Sequence, residues 1–85
     1  MTSRPNPEVL WQRLDDEVLL LHMQSDRVFS LNTTAARLWE LLVAGVELDS
    51  IRARLAEEFE VPSSDLAKEV EQLIALMIDE QLVIA

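Results

Sequence analysis

The hydrophobic pattern of this chain changes its period once, at Asn32, and that change constrains the fold more than any other feature of the sequence. Before Asn32, apolar residues form short runs separated by polar turns, a pattern typical of β-strands. After Asn32 they recur every three or four residues, a pattern typical of α-helices. With 85 residues in all, the chain is the size of one small domain. The sequence therefore predicts a single α+β domain with its strands first and its helices after them.

Three strands are predicted before the change of period, at residues 9–12, 18–23 and 27–31. A polar turn at residues 14–17 separates the first two, and a turn at residues 25–26 separates the second from the third. Because each turn is short, the three strands are expected to form an antiparallel sheet.

The pairing register of the second and third strands depends on the length of the turn between them. A two-residue loop places Phe29 on the face of Leu20 and His22, whereas a three-residue loop places it with Leu21 and Met23. The sequence leaves both alternatives open.

Three helices are predicted after the change of period. Asn32 is a good N-cap for the first helix, and Gly45 supplies a left-handed stop at its end. The second helix ends before Pro62, and Ser63 or Ser64 caps the third. The apolar stripes of the helices are Ala35, Leu38, Trp39, Leu41 and Leu42; Ile51, Leu55 and Phe59; and Leu66, Val70, Leu73, Ile74 and Met77.

The two tryptophans are predicted to have different environments. Trp39 lies in the apolar stripe of a short helix, where its large side chain is expected to anchor the core. Trp11 lies in the first strand, and its indole is expected to be half-exposed if that strand forms an edge of the sheet.

Residues 1–7 are predicted to be a loose N-terminal arm, and residues 8–85 the folded domain. The arm lacks the apolar segment of a secretory signal. Residues 82–84 form a short extension that is expected to pair or pack.

No apolar run approaches the ~20 residues of a membrane span. Since the chain also lacks cysteine, a cytoplasmic location is the default expectation.

The charge of the chain excludes two classes of partner. Sixteen acidic residues against seven basic ones give a formal net charge of −9. Nucleic acids and anionic membrane surfaces attract basic proteins, so neither is an expected partner. Most of the acidic excess falls on the predicted helices, where it is typical of a solvated face.

Few residues in this chain could carry out catalysis. A single glycine, Gly45, cannot form the phosphate-binding loops of nucleotide enzymes. His22 is the only imidazole, lies in an apolar run and has no metal-ligand or catalytic partner at a recognisable spacing. The sequence therefore predicts a protein that is not an enzyme and that holds no metal or cofactor.

One flank of the third helix carries an apolar residue that its core stripe does not use. At ~100° per residue, Leu76 lies beside Glu69 and Gln72, away from the centre of the stripe. An isolated exposed leucine needs no explanation. Alternatively, Leu73 and Leu76 form the floor of a groove, with Glu69 and Gln72 at its rim, that accepts an extended peptide beside a strand edge.

The order of these segments resembles the PqqD family. Residues 28–42 read VFSLNTTAARLWELL, which is similar to that family's short aromatic strand, its Leu-Asn pair, its alanines and its first helix with tryptophan. Residues 51–61 and 66–83 resemble its second and third helices, so that the resemblance covers about residues 8–85. The chain departs from the pattern at three positions. The family often has Asp in place of Glu69, Trp or Tyr in place of Phe29, and Gly in place of Gln81.

The resemblance implies a winged-helix-like domain that recognises the leader segment of a ribosomally made precursor peptide. In that family the leader adds as a strand to the third strand, packs against the third helix and is presented to a separate leader peptidase or modifying enzyme. A lasso-peptide system is the favoured setting, and a chaperone of quinone-cofactor (PQQ) synthesis is the alternative. The site residues implied on this chain are Arg27, Val28, Phe29, Ser30, Leu31, Leu66, Glu69, Val70, Gln72, Leu73, Leu76 and Met77.

Two functions of other classes are weighed against peptide binding. A winged-helix fold could bind DNA, but the second helix offers only Arg52 and Arg54 among several acids, and the net charge opposes phosphate. A homodimerisation module is the other alternative, because a strand edge that accepts a peptide can also pair with a second copy of the chain.

Overall fold

The computed structural model describes residues 4–84, with the side chain of Ser63 left out. Its elements, in chain order, are β1 (Arg4–Pro5), β2 (Val9–Leu14), β3 (Glu17–His22), β4 (Arg27–Leu31), α1 (Thr33–Val43), α2 (Leu48–Phe59), α3 (Ser63–Asp79) and β5 (Val83–Ile84). The predicted α+β order of three strands and then three helices is confirmed. Within residues 4–84, no helix combines the length and hydrophobicity needed to cross a bilayer.

Strands β2, β3 and β4 form an antiparallel sheet in that order. Leu20 pairs with Phe29, so Phe29 lies on the face of Leu20 and His22, as the first of the two predicted registers required. The loop itself has four residues, 23–26. Any loop with an even number of residues places Phe29 on this same face of the sheet. Asp26 closes the loop in a left-handed conformation with φ of 57°, and its N–H donates to the carbonyl of His22 at 2.8 Å.

The first helix is capped as its sequence predicted, and the third is not. The side chain of Asn32 accepts a hydrogen bond from the N–H of Ala35 at 3.1 Å, and Gly45 follows α1 with φ of +84°. At α3 the predicted serine cap is wrong, because Pro62 occupies the cap position and makes no side-chain cap hydrogen bond. The helix begins at Ser63, and this places Ser64 inside its first turn.

The core lies between one face of the sheet and the three helices. Trp39 is fully buried there, which confirms its predicted role as an anchor, and it is joined by Leu20, Leu38 and Leu55. The sheet contributes alternate residues only, since successive side chains point to opposite faces. Trp11 lies on an edge strand and is 41 % exposed, so the expectation for it also holds.

The two ends of the described chain are tied together, which corrects the prediction of a loose arm. Arg4–Pro5 pairs antiparallel with Val83–Ile84 as a two-stranded sheet. The backbone N–H of Asn6 donates to the carbonyl of Leu82 at 2.9 Å, and its side-chain amide donates to the carbonyl of Gln81 at 2.7 Å. Residues 1–3 of the predicted arm lie outside the described residues. The predicted extension at residues 82–84 forms part of this pairing, and pairing was one of the two outcomes expected for it.

Candidate functional site

Strand β4 forms an edge of the three-stranded sheet. In the order β2-β3-β4 it pairs with β3 on one side, and no other strand of the described chain pairs with it on the other. Val28 is 67 % exposed, Arg27 and Ser30 are exposed, Phe29 is half-buried and Leu31 is buried. An edge of this kind presents unpaired N–H and carbonyl groups that another extended chain can use.

The end of α3 reaches the beginning of this edge strand. Glu80, which follows α3, forms an ion pair with Arg27, the first residue of β4. The N–H of Glu80 still donates to the carbonyl of Leu76 at 2.9 Å, so its backbone continues the helical turn. The C-terminal end of α3 and the beginning of β4 therefore lie next to each other.

The same contact identifies the flank of α3 that faces β4. Glu69, Leu73, Leu76 and Glu80 follow one another at spacings of four, three and four residues, and such spacings place side chains along one stripe of a helix. Since Glu80 at the end of this stripe contacts β4, the rest of the stripe lies along the same side of the helix. Leu76 is 57 % exposed and Leu73 is half-buried.

The seven residues of α3 that the resemblance implied as a groove wall fall into two groups. Leu66, Val70 and Met77 are buried in the core, with at most 4 % of their surface exposed, and a peptide cannot reach them without repacking. The other four remain reachable, Leu73 in part. They are Glu69, Gln72, Leu73 and Leu76.

Arg27 makes a second contact, within the edge strand itself. Its guanidinium carbon lies 5.0 Å from the centre of the Phe29 ring, within the range of a cation–π interaction. Arg27 thus contacts both the Phe29 ring and the Glu80 carboxylate. The sequence singled out Arg27 as part of the edge but gave no signal for Glu80, because the two residues are 53 positions apart.

The face of the sheet that points away from the helices is apolar and exposed. Leu10, Leu21 and Val28 are paired across the three strands, and all three are exposed. With Leu19 they line a hollow of about 280 Å³. Val28 thus belongs both to this face and to the edge of β4.

Two ion-pair groups occupy two of the four basic residues on the helices. Arg37 of α1 binds Glu58 of α2 through two hydrogen bonds of 2.9 Å; this contact lowers the pKa of the Glu58 carboxyl and raises the pKa of the Arg37 guanidinium. Arg52 of α2 contacts Asp49 at 3.2 Å and Glu71 at 3.6 Å. Little unpaired positive charge is left on α2 for a phosphate backbone.

No candidate metal-binding cluster is found in the part of the chain that the structure describes. Across residues 4–84, no group of three or more histidine, cysteine, aspartate or glutamate side chains could hold a metal ion. His22 is 2 % exposed, and no group among the described residues forms a hydrogen bond with either of its ring nitrogens. The arrangement is suited to holding an extended chain between a strand edge and a helix.

Sequence comparison agrees with this arrangement. The sequence profile of the family described as coenzyme PQQ synthesis protein D (PqqD) matches residues 17–83, which includes β3, β4 and all three helices. The chain belongs to the PqqD family. No curated protein sequence matches this PqqD-family chain.

Two solved structures resemble this PqqD-family chain over nearly its whole length. TbiB1 in complex with the TbiA(beta) leader peptide is 25 % identical, with a TM-score of 0.90 over 94 % of this chain and 93 % of that one. A lasso peptide synthetase B1 complexed with the leader peptide is 24 % identical, with a TM-score of 0.89 over the whole of both chains. The second likeness concerns the fold alone.

Proposed function

We propose that this PqqD-family chain binds the leader segment of a ribosomally synthesised precursor peptide. The leader adds as a strand to the free edge of β4, and its side chains on one face pack against the exposed flank of α3. The observation that carries the proposal is the unpaired edge of β4, with the end of α3 brought next to its first residue at the Arg27–Glu80 ion pair. Backbone hydrogen bonds supply affinity in this mode, and the side-chain contacts supply register.

The structural neighbours support the same proposal. TbiB1 is bound to a leader peptide, and its fold is nearly that of this chain. We assign the edge at Arg27, Val28, Phe29, Ser30 and Leu31 to the peptide backbone, and the wall to Glu69, Gln72, Leu73 and Leu76. The buried residues Leu66, Val70 and Met77 hold this wall in place from behind.

We further propose that the chain delivers the bound leader to a separate enzyme. One histidine and no cysteine leave it few groups with which to carry out chemistry of its own. We favour a leader peptidase of a lasso-peptide system as the recipient, following the resemblance of the sequence pattern at residues 8–85. An enzyme of PQQ synthesis is the alternative, supported by the description of the family.

The wall is tested by adding a charge to its exposed leucine. Leu76→Glu is expected to weaken binding of a fluorescently labelled leader at least tenfold, because a carboxylate would replace the apolar floor of the groove. The fold should be unchanged, since Leu76 is 57 % exposed. With the leader of its cognate precursor, we expect the wild type to bind with a dissociation constant of about 1 nM to a few μM, or roughly 8–12 kcal/mol.

Ile78→Glu is the matched control, because Ile78 is 38 % exposed and lies about 200° around α3 from Leu76, so that the same charge is added to the opposite side of the helix. It should leave the affinity within about twofold. Equal loss in both variants would mean that charge alone weakens the complex, and no loss in either would move the site away from α3. A wild type that does not bind its cognate leader would overturn the proposal itself.

Pairing of β4 with a second copy of the chain is the other use of the same edge. It is distinguished by measuring the molar mass of the free and the leader-bound protein by light scattering. The proposal predicts the same protomer count with and without leader. A free dimer that separates when the leader binds would show that the copies compete for β4.

A further inference from the structure

Strand β2 forms the second edge of the three-stranded sheet, on the side away from β4. In the order β2-β3-β4 it pairs with β3 alone among the strands of residues 4–84. Five of its six residues are exposed, and Leu10, Trp11 and Leu14 are among them. Arg13 is the only charged residue in the strand. An apolar, exposed edge of this kind is a surface on which another strand can pair.

The hydrogen bonds of β2 show which of its backbone groups point outward. The N–H of Met23 donates to the carbonyl of Glu8 at 3.0 Å and continues the β2–β3 ladder by one residue pair, so the backbone groups of Glu8 face β3. The direction of these groups alternates along a strand. Trp11 and Arg13 therefore direct their N–H and carbonyl groups toward the free edge.

A second copy of β2 satisfies these groups in the antiparallel register centred on Gln12. In that register Trp11 of each copy lies opposite Arg13 of the other, and the outward N–H and carbonyl groups of both residues gain partners. A register centred on Trp11 would need the N–H of Val9, which already donates to the carbonyl of Asn6 at 3.0 Å. A register centred on Arg13 would place two guanidinium groups directly opposite each other, which is unfavourable.

The exposed side chains of β2 find partners in the same register. Leu10 of one copy lies opposite Leu14 of the other on the face away from the helices, where both are exposed in the single chain. On the other face, Trp11 lies beside the cationic side chain of Arg13 of the second copy, an arrangement that permits a cation–π contact. An interface between two identical copies must be complementary to itself, and β2 meets this requirement.

We propose that β2 pairs antiparallel with β2 of a second copy of this chain, about a two-fold axis at Gln12. The two sheets then form one continuous sheet with a β4 edge at each end. Peptide binding at β4 stays open in both copies, and the inference does not depend on it. Because two short strands make a small interface, we expect a dissociation constant of about 1–100 μM.

The register is tested by disulfide crosslinking, for which the chain offers a clean background because it has no cysteine. Gln12→Cys should form a covalent dimer on mild oxidation, because the two copies of residue 12 face each other with Cα atoms about 4.5 Å apart. Gln24→Cys is the matched control, at an exposed position outside both edges, and should crosslink about tenfold more slowly. Leu10→Cys and Leu14→Cys should crosslink efficiently only when the two variants are mixed.

The equilibrium is tested by light scattering and sedimentation on the protein without added cysteines. At high salt, which screens the repulsion between chains of net charge −9, the wild-type mass should rise with concentration from one protomer to two. Leu10→Glu should weaken this association at least tenfold and remain folded, since Leu10 is exposed. Ile78→Glu adds the same charge away from β2 and should leave it within about twofold.

The outcomes are distinct from those of the leader-binding experiments. A wild type that stays a single protomer above the expected range, or a Gln12→Cys variant that crosslinks no faster than Gln24→Cys, overturns the β2 dimer. A dimer that separates when the leader binds overturns it as well, because that result places the contact at β4. If Leu10→Glu does not fold, the crosslinking of Gln12→Cys still decides. A dimer that crosslinks at Gln12 and persists with leader bound supports the proposal.

Discussion

Four residues other than glycine adopt a left-handed backbone within the described chain, and each ends or turns an element. Asp15 and Asp26 lie in the two hairpin turns, Glu60 ends α2, and Gln81 follows α3. This conformation costs about 1 kcal/mol or more for residues with a Cβ atom. Gln81 stands where the PqqD family often has glycine, and its φ of 60° gives the physical reason for that preference.

Glu60→Gly is expected to stabilise the protein. Glu60 is exposed and has φ of 54°, so glycine would relieve the left-handed strain, and the free energy of unfolding should rise by about 0.5–1 kcal/mol. Urea denaturation measures the change. Glu57→Gly is the matched control, because it removes the same charge from inside α2 and should lower stability by about 1 kcal/mol. Equal signs in the two variants would contradict the argument.

The Arg37–Glu58 ion pair should make stability depend weakly on acid pH. The pKa of Glu58 is lowered in the folded state by its hydrogen bonds to Arg37, so its contribution is present above the ordinary glutamate pKa of about 4.3 and is lost as pH falls through the folded-state value. The pair is more than a third exposed. Screening by solvent limits it to about 0.5 kcal/mol.

The difference in unfolding free energy between wild type and Glu58→Gln should therefore be about 0.5 kcal/mol at neutral pH and should shrink below pH ~4. Urea melts across this range, at low and high salt, provide the measurement. A difference that did not vary with pH would indicate that the glutamine acts through packing.

At the scale of elements, β4 serves two purposes that conflict. Its inner side must pair with β3 to complete the sheet, while its outer side stays open. Only five residues form it, and Arg27 ties its beginning to the end of α3. A short, charged edge strand resists uncontrolled pairing with other chains, so β4 is open without being long.

Proline substitution can separate the two sides of β4. Neighbouring amides in a strand point in opposite directions, so one of Val28 and Phe29 directs its N–H toward β3 and the other toward the free edge. One of Val28→Pro and Phe29→Pro should therefore break the β3–β4 ladder and lower stability by about 2–3 kcal/mol. The other should stay folded and weaken leader binding at least tenfold, because a donor is lost from the edge. Two folded variants with unaltered affinity would exclude strand addition at β4.

At the scale of the whole molecule, the pairing of β1 with β5 joins the beginning of the described chain to the segment that follows α3. Strand β5 follows α3 after three residues, so whatever holds β5 also holds the end of α3 where Glu80 meets Arg27. Asn6 contributes most of the polar contacts there. Its carboxamide donates to the carbonyl of Gln81 and accepts from the N–H of Glu8 at 2.9 Å.

Asn6→Ala is expected to lower the free energy of unfolding by about 1–2 kcal/mol, because two hydrogen bonds are lost at roughly 1 kcal/mol each. Hydrogen exchange of the Glu8 amide should accelerate in the same variant, because its acceptor, Asn6 Oδ1, is removed. Gln12→Ala, at an exposed position of β2, is the control and should change stability by less than about 0.5 kcal/mol. A stable variant with unchanged exchange would show that the ends hold together without Asn6.

The sequence predicted most of the elements and part of the site. The change of period at Asn32, its cap on α1 and the facing of Trp39 all depend on residues close together in the chain. The serine cap of α3 was wrong because Pro62, with φ of −59°, already fits the residue before a helix. The loose arm was wrong because its partner, β5, lies at the other end of the chain.

What the sequence determined by itself is therefore the family, the order of elements and the flank of α3 that carries Leu76. Each is set by local spacing, which the chain displays directly. Only the tertiary structure decided that Leu66, Val70 and Met77 are buried and that Glu80 at the end of α3 meets Arg27 at the beginning of β4. These facts depend on contacts between distant segments, and burial and pairing across such distances come from packing rather than from local pattern.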